Sequence, residues 1–355
     1  MHAPIASSLM VTFDHDFDLR ALRRDYGDVF GEATACRSAA ALFDFSFMHR
    51  IRIQGPRAGA LIAQLTPRKM DELPPRRIRY ALALDGRGHV RGDLTVWRMD
   101  NESFELFLPP SDAYVQLRVA ACTTAVSDLT EETAVLAVQG PASLRALAAL
   151  APAAELRALG YFEHAPMSVA GVPCRVGRLG YTGERGFEII LPRASREVVW
   201  DALAMYARPA GFAAADILRI EAGFPLFTNE FRFPVTSQEL GLARFAGNDA
   251  AARTAQGAVR LMCFQAHCDQ NPVLRHPAAD AQFPPGAGTL LVTSACRSIT
   301  ADAVIGLGYA ASDATDLVHT NGEFRNIRKV SLPIYDPEKI RPRGGWRADL
   351  WPMPA

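Results

Sequence analysis

Two carboxylates in this chain of 355 residues stand where an acid needs a partner, and their settings bound the chemistry open to them. The first is Glu188. In the stretch 179–191, LGYTGERGFEIIL, Gly180, Gly183 and Gly186 make a turn-rich loop, after which Phe187, Ile189 and Leu191 alternate with Glu188 and Ile190 as in a strand. Glu188 thus shares a face with Ile190, and a carboxylate among bulky apolar neighbours is costly unless something pairs with it. Two kinds of partner are open: a nearby arginine, Arg175 or Arg185, or a planar donor such as an aminopyrimidinone ring, which meets both oxygens at once.

The second is Asp93, in the stretch 80–99, YALALDGRGHVRGDLTVWRM. Two alternating runs flank Asp85-Gly86-Arg87-Gly88, a hairpin signal. With those four residues as the loop, Leu84 faces His89 and the register carries Tyr80 opposite Asp93, so that a phenol and a carboxylate share one sheet face. The competing partners for Asp93 are Arg91 and Arg98. Gly86, Gly88 and Gly92 do not make a dinucleotide-binding fingerprint, because the spacing is wrong and a strand follows instead of a helix.

The surrounding chain must hold these acids in place. Helical spacing runs over 17–30, and an Ala-rich helix is expected over 33–42. Further helices are expected at 58–65, 111–122, 142–150, 195–207 with Ser195 as N-cap, and 213–222, closed by Gly223 and Pro225. Strands are expected at 51–55, 104–108, 135–138, 162–169, 172–176, 187–191, 259–264, 288–294, 303–309 and 329–332. Asp44 and Ser46 read as turn-capping residues and Gln139 as a side chain satisfying backbone at its turn. The tail 341–355, rich in Pro, Gly and Trp, reads as an extended segment.

Composition narrows the class of ligand. With 49% hydrophobic residues the chain can bury a core, and two or three domains suit its length. Lys plus Arg equals Asp plus Glu at 38 each, so no net field favours nucleic acid or an anionic membrane. Six scattered cysteines without a CxxC pair suit a reduced cytoplasmic protein, and Cys263, His267 and Cys268 lack a second pair at metal-ligand spacing. The N-terminus turns acidic too early for a signal peptide, and no apolar run reaches the roughly 18 residues of a membrane span.

The run from Arg178 to Ile189 resembles the R-x-GYTGE-x-GFEI signature of the glycine cleavage T-protein (aminomethyltransferase) family. Leu42-Phe43-Asp44-Phe45-Ser46-Phe47-Met48 resembles that family's GLFDVSHMG, residues 135–141 its LAVQGP, and residues 216–230 its DSLRLEAGLPLYGNE; the likeness extends from about Ala33 to Tyr335. The resemblance implies an α+β fold of three domains around a central folate channel. These are a discontinuous folate-binding α/β domain (1–50 and 134–250), an inserted antiparallel α/β domain (51–133) and a C-terminal β-barrel domain with tail (251–355). It implies tetrahydrofolate as cofactor and a transferred one-carbon unit, an aminomethyl group. Asp93 would be the catalytic residue near the reacting nitrogens and Glu188 the pterin ligand. Tyr80, Tyr181 and Phe227 would lie at the folate, with Arg219 either there or in a structural ion pair. The implied partners are a small-molecule one-carbon donor or a lipoyl-carrier protein, with no nucleic acid, membrane or metal, in a monomer or weak homodimer.

Several residues depart from the family's strings. Glycine-cleavage members usually carry two consecutive aspartates where this chain has Gly92-Asp93, several have arginine at the Ala215 position, and tyrosine stands at the Phe227 position. Many have asparagine in place of Pro109, and a KxDFxG string is replaced by Arg244-Phe245-Ala246-Gly247-Asn248-Asp249. Gly92, Ala215 and Phe227 favour an alternative, a folate-dependent N-, O- or S-demethylase making 5-methyl-tetrahydrofolate. A third candidate is a non-catalytic folate-binding accessory protein, whose Lys-Gly-Cys string this chain lacks.

Overall fold

The computed structural model describes residues 9–121, 124–247, 257–275, 277–278, 280–314, 316–319 and 322–346. Cys122, Asn248, Asp249, the first eight residues and the tail beyond 346 lie outside them. The strands in chain order are β1 (Ala41–Asp44), β2 (His49–Gln54), β3 (Ile78–Leu84), β4 (Val90–Arg98), β5 (Ser103–Leu108), β6 (Ala125–Asp128), β7 (Thr133–Gln139) and β8 (His164–Val169). They continue as β9 (Val172–Gly177), β10 (Gly186–Pro192), β11 (Arg208–Pro209), β12 (Val259–His267), β13 (Thr289–Arg297), β14 (Val304–Ala311), β15 (Val318–His319) and β16 (Arg325–Val330). The chain falls into two compact units, one of Met1–Asp18, Phe47–Thr130 and Pro225–Leu332, the other of Leu19–Ser46, Glu131–Phe224 and Pro333–Ala355.

The second of these units is built on a sheet of order β11-β1-β7-β10-β9-β8. Alternation along the strands sends Leu42, Leu136, Val138, Val176, Phe187, Ile189 and Leu191 into one core, which Leu147, Leu156, Val199, Trp200 and Leu203 close from the helix side. The opposite face receives Phe43, Ala137, Gly177 and Glu188, which are successive cross-strand partners. The helix expected over 17–30 does not form. Only a 3-10 turn, Leu19–Ala21, is present, Gly27 takes φ +109°, and helix α1 (Val29–Ser38) starts after Asp28, whose side chain accepts from the Gly31 N–H. That helix ends before Ala41 because Ala41 and Leu42 pair with Gln139 and Val138, so sheet contacts override the alanines' helix propensity.

The tail also departs from expectation in its described part. A short helix, Ile340–Arg343, follows Pro333–Tyr335, and the Trp346 ring stacks on Phe187 at 5.2 Å. Arg185 donates to the Arg341 and Gly345 carbonyls at 2.9 and 2.7 Å, and Arg178 to that of Gly344. Pro, Gly and Trp made the segment read as extended; the buried arginines that tie it down lie over 150 residues earlier in the chain.

The other unit contains two sheets, of order β3-β4-β5-β2-β6 and β15-β13-β14-β12-β16. In the β3–β4 hairpin Asp85 N–H reaches the His89 carbonyl at 2.9 Å and Gly88 sits at φ +83°. Leu84 pairs with Val90, and a bulge between Ala83 and Leu84 then shifts the ladder, so Leu82 faces Asp93 and Tyr80 faces Thr95. The register differs by two residues from that expected of a plain four-residue loop. An even shift preserves the face, and Tyr80 and Asp93 become diagonal neighbours.

Candidate functional site

Glu188 stands in mid-strand, flanked across the ladder by Ala137 on β7 and Gly177 on β9. Both neighbours are small, so little side-chain bulk stands beside the carboxylate on those strands. Arg185 is spent on tail carbonyls, and the Arg175 guanidinium lies 3.2 Å from His164 Nδ1. No ion pair to Glu188 occurs among the described residues, and burial alone pushes its carboxyl up to about 7. A half-buried acid without a counter-ion is the setting a planar hydrogen-bond donor would complete.

Asp93 is half-buried on β4 and accepts a hydrogen bond from the Tyr80 hydroxyl at 3.0 Å. Burial raises its carboxyl to about 6, the Tyr80 bond opposing that rise by favouring the charged form. Arg98 donates instead to the carbonyls of Asp71, Leu73, Asp100 and Asn101, so it is engaged away from Asp93. Behind Tyr80, the Phe245 ring makes an edge contact at 4.9 Å, while Arg68 and Arg244 lie over Phe245 at 5.6 and 4.6 Å. The sequence did not single out Arg68, and it offered only the RFAG string as a signal for the other two.

The remaining site candidates divide by surroundings. Tyr181 stacks on Phe224 with centroids 5.8 Å apart. Arg219 is fully buried: it pairs with Asp216 at 2.8 Å and donates to the Phe224 carbonyl at 3.1 Å, fastening the chain that leaves the helix Phe212–Glu221. Glu221, two residues on, accepts from Arg37 at 2.9 Å, as helix spacing requires of a pair that cannot meet each other. Phe227 is buried against Phe17, and its carbonyl lies 2.7 Å from His15 Nδ1.

Two further groups explain the signature loop. Gln139, fully buried, donates to the Leu179 and Phe187 carbonyls at 3.1 and 3.4 Å and accepts from the Thr182 hydroxyl at 3.1 Å. A Cβ on Gly180 or Gly186 would lie 1.8 or 2.4 Å from that amide, so both glycines make room for it. Asp44 accepts from the Ser46 N–H, the expected turn contact, but it also pairs with Arg196, and the Ser46 hydroxyl accepts from the Val135 N–H, both far along the chain. Sequence reading missed Tyr335, whose hydroxyl donates to Glu184 and whose ring lies 3.7 Å under the Arg37 guanidinium.

A family model described as the GCVT N-terminal domain matches residues 15–249. A probable aminomethyltransferase of Halobacterium salinarum is 34% identical over 337 residues, 88% of this chain and 92% of that protein. The chain belongs to the glycine cleavage T-protein family. An aminomethyltransferase of Streptomyces avermitilis is a further T-protein relative, 31% identical over 375 residues and 96% of each chain. Among solved structures, the glycine cleavage system aminomethyltransferase T from Bartonella henselae is similar in fold, with TM-score 0.69 and 24% identity over 87% of this chain and 90% of that one.

Against the T-protein pattern, the glycine before Asp93 has a packing cause. A Cβ at Gly92 would lie 2.6 Å from the Phe13 ring, which fills the apolar core on that face with Ala83, Leu94 and Val96. Successive strand residues face opposite ways, so Gly92 turns into this core while Asp93 turns to Tyr80. Ala215 is fully buried within a helix all ten of whose residues are buried.

Proposed function

We propose that the chain is a tetrahydrofolate-dependent aminomethyltransferase. The observation that carries this is Glu188, a mid-strand carboxylate raised to about 7 by burial, with no cation paired to it among the described residues. Its unmet acceptor oxygens fit the amino-pyrimidinone edge of a pterin, to which paired charged hydrogen bonds would contribute roughly 3–6 kcal/mol before desolvation. When bound, tetrahydrofolate supplies the nitrogen nucleophiles that accept the one-carbon unit.

Asp93 does the electrostatic work. With its carboxyl at about 6 it is mostly ionised at neutral pH, and the Tyr80 bond fixes one oxygen, so the other is aimed to stabilise positive charge developing beside it. Tyr181, with its ring held by Phe224, and Phe227 are the proposed lining, while Arg219 holds the chain leaving the helix Phe212–Glu221. The donor is a small aminomethylated molecule or a lipoyl-carrier protein. The three domains, 1–50 with 134–250, 51–133, and 251–355, are supported by the three sheets, each drawn from one of these stretches save that His49 and Arg50 already belong to β2 and Thr133 to β7.

Gly92, one of the residues that favoured a demethylase, has its explanation in Phe13 and carries no weight for a different donor. Incubation with tetrahydrofolate and an aminomethylated donor should yield 5,10-methylene-tetrahydrofolate and ammonia. Asp93→Asn should keep folate binding and lower turnover by roughly 10²–10³-fold. Formation of 5-methyl-tetrahydrofolate without ammonia would refute the aminomethyl assignment.

A further inference from the structure

A ring nitrogen of His15 is enclosed and meets nothing. Nδ1 of this half-buried histidine lies 2.7 Å from the Phe227 carbonyl, whereas Nε2 is buried without a hydrogen-bond partner among the described residues. A carbonyl only accepts, so Nδ1 carries the proton and Nε2 keeps a bare lone pair. The backbone is held as well: Arg232 donates to the His15 carbonyl at 2.9 Å and to Asp16 at 2.6 Å, and Phe17 stacks on Phe47 at 5.7 Å. Burial, opposed by the Phe227 bond, holds the ring below the ordinary histidine range, and the charges of Arg91 and Arg232 lower it further against Asp16. At neutral pH the ring is therefore an uncharged base.

Arg91 links this ring to Asp93. On β4 the two share a face, because Gly92 between them turns into the core against Phe13. A turn at Asp14–Phe17 carries the chain on from Phe13 to His15, where the Arg91 charge is felt. Where T-proteins have a tyrosine, Phe227 has no hydroxyl, and the imidazole hangs on that residue's own carbonyl. An ionisable group has come back to this place by another route. A histidine that only fills space is the plain alternative, and the Nδ1 bond would then be its whole role.

We infer that His15 Nε2 faces the reacting atoms and carries a proton between them, as general base and then as general acid. The inference rests on the aminomethyl assignment and deepens it. In that reaction the methylene carbon ends bonded to both N5 and N10 of the folate, while its bonds to the donor's heteroatom and to the amine break. Each folate nitrogen gives up one proton, and the donor heteroatom and the departing ammonia each gain one, with no change of oxidation state. Nε2 takes the N10 proton as the second carbon–nitrogen bond forms and passes it to the amine as that leaves. Asp93 keeps its electrostatic part, so the acid and the imidazole divide the work.

The test reads the ring directly. In the full chain carrying isotope-labelled histidine, long-range proton–nitrogen spectra, with the His15 signals assigned by their loss in His15→Asn, should show a protonated Nδ1 and a bare Nε2 near neutral pH. 5-Formyl-tetrahydrofolate, whose N10 keeps its proton, should shift the Nε2 signal when it binds. His15→Asn retains a donor for the Phe227 carbonyl, so it should bind that ligand within about threefold of wild type while turnover falls by about 10²-fold or more. His15→Ala should lose turnover likewise and regain about tenfold or more of it with added imidazole. An unmoved Nε2 signal with the ligand bound, or wild-type turnover in His15→Asn, would overturn the proton carrier and leave the folate assignment standing. No binding of the ligand to the wild-type protein would overturn both.

Discussion

The acid at position 188 and the acid at position 93 are both raised by burial, but they respond to different neighbours. Among the described residues Glu188 has no partner to offset its burial, whereas Asp93 has Tyr80. Removing the Tyr80 hydroxyl takes away a bond that favours the charged form, so the Asp93 carboxyl must rise further above about 6. In Tyr80→Phe the acid limb of the kcat/KM profile should move to higher pH by up to about one unit, the worth of one hydrogen bond to a charged group. An unmoved limb would separate Asp93 from the chemistry. The pairing of these side chains was legible because strand alternation fixes the face even when the register is misjudged. Their environment was less so: Arg175 meets His164 through the pairing of β8 with β9, and Arg185 is engaged by tail carbonyls far along the chain.

At the scale of elements, glycines mark where another side chain has taken the space. Gly92 yields to Phe13 and Gly180 with Gly186 yield to Gln139. Restoring an aspartate in Gly92→Asp would drive a charged group into the ring of Phe13, costing about 2–4 kcal/mol through overpacking and an unpaired buried acid. Chemical denaturation should show that loss, partly relieved by adding Phe13→Ala; an unchanged midpoint would refute the packing explanation. Strands with clear alternation were legible from residue order alone, as was the hairpin turn. The bulge that resets the β3–β4 ladder, and the end of α1 before Ala41, were not, since each is decided by pairing with a partner strand.

At the scale of the whole chain, segments distant in sequence complete each unit. Trp346 closes the apolar cluster that includes Phe187, the residue before Glu188, and two buried arginines hold the tail by its carbonyls. Trp346→Ala should lower stability by about 1–3 kcal/mol, the cost of deleting a large, partly buried ring, as read from the denaturation midpoint. No change would mean the docked tail is dispensable to that core. Family membership was legible at this scale because the GYTGE-x-GFEI and LRIEAG strings are long. The tail's docking was not, because Pro, Gly and Trp carry no periodicity to read.

Titrating 5-formyl-tetrahydrofolate into the wild-type protein and Glu188→Gln by calorimetry, near pH 7 and in two buffers of different ionisation enthalpy, probes the pterin contact directly. Pairing with a donor favours the carboxylate, so a carboxyl at about 7 should release a fraction of a proton on binding. The variant should bind at least about tenfold more weakly without that release. Its ligand-free form should also be more stable above neutral pH by on the order of 1–3 kcal/mol. A folded-state value raised above the unfolded one makes the wild type lose stability as pH climbs to about 7, so the gain should fade towards pH 4.5. Equal affinities and no proton release from the wild-type protein would contradict a pterin held by Glu188.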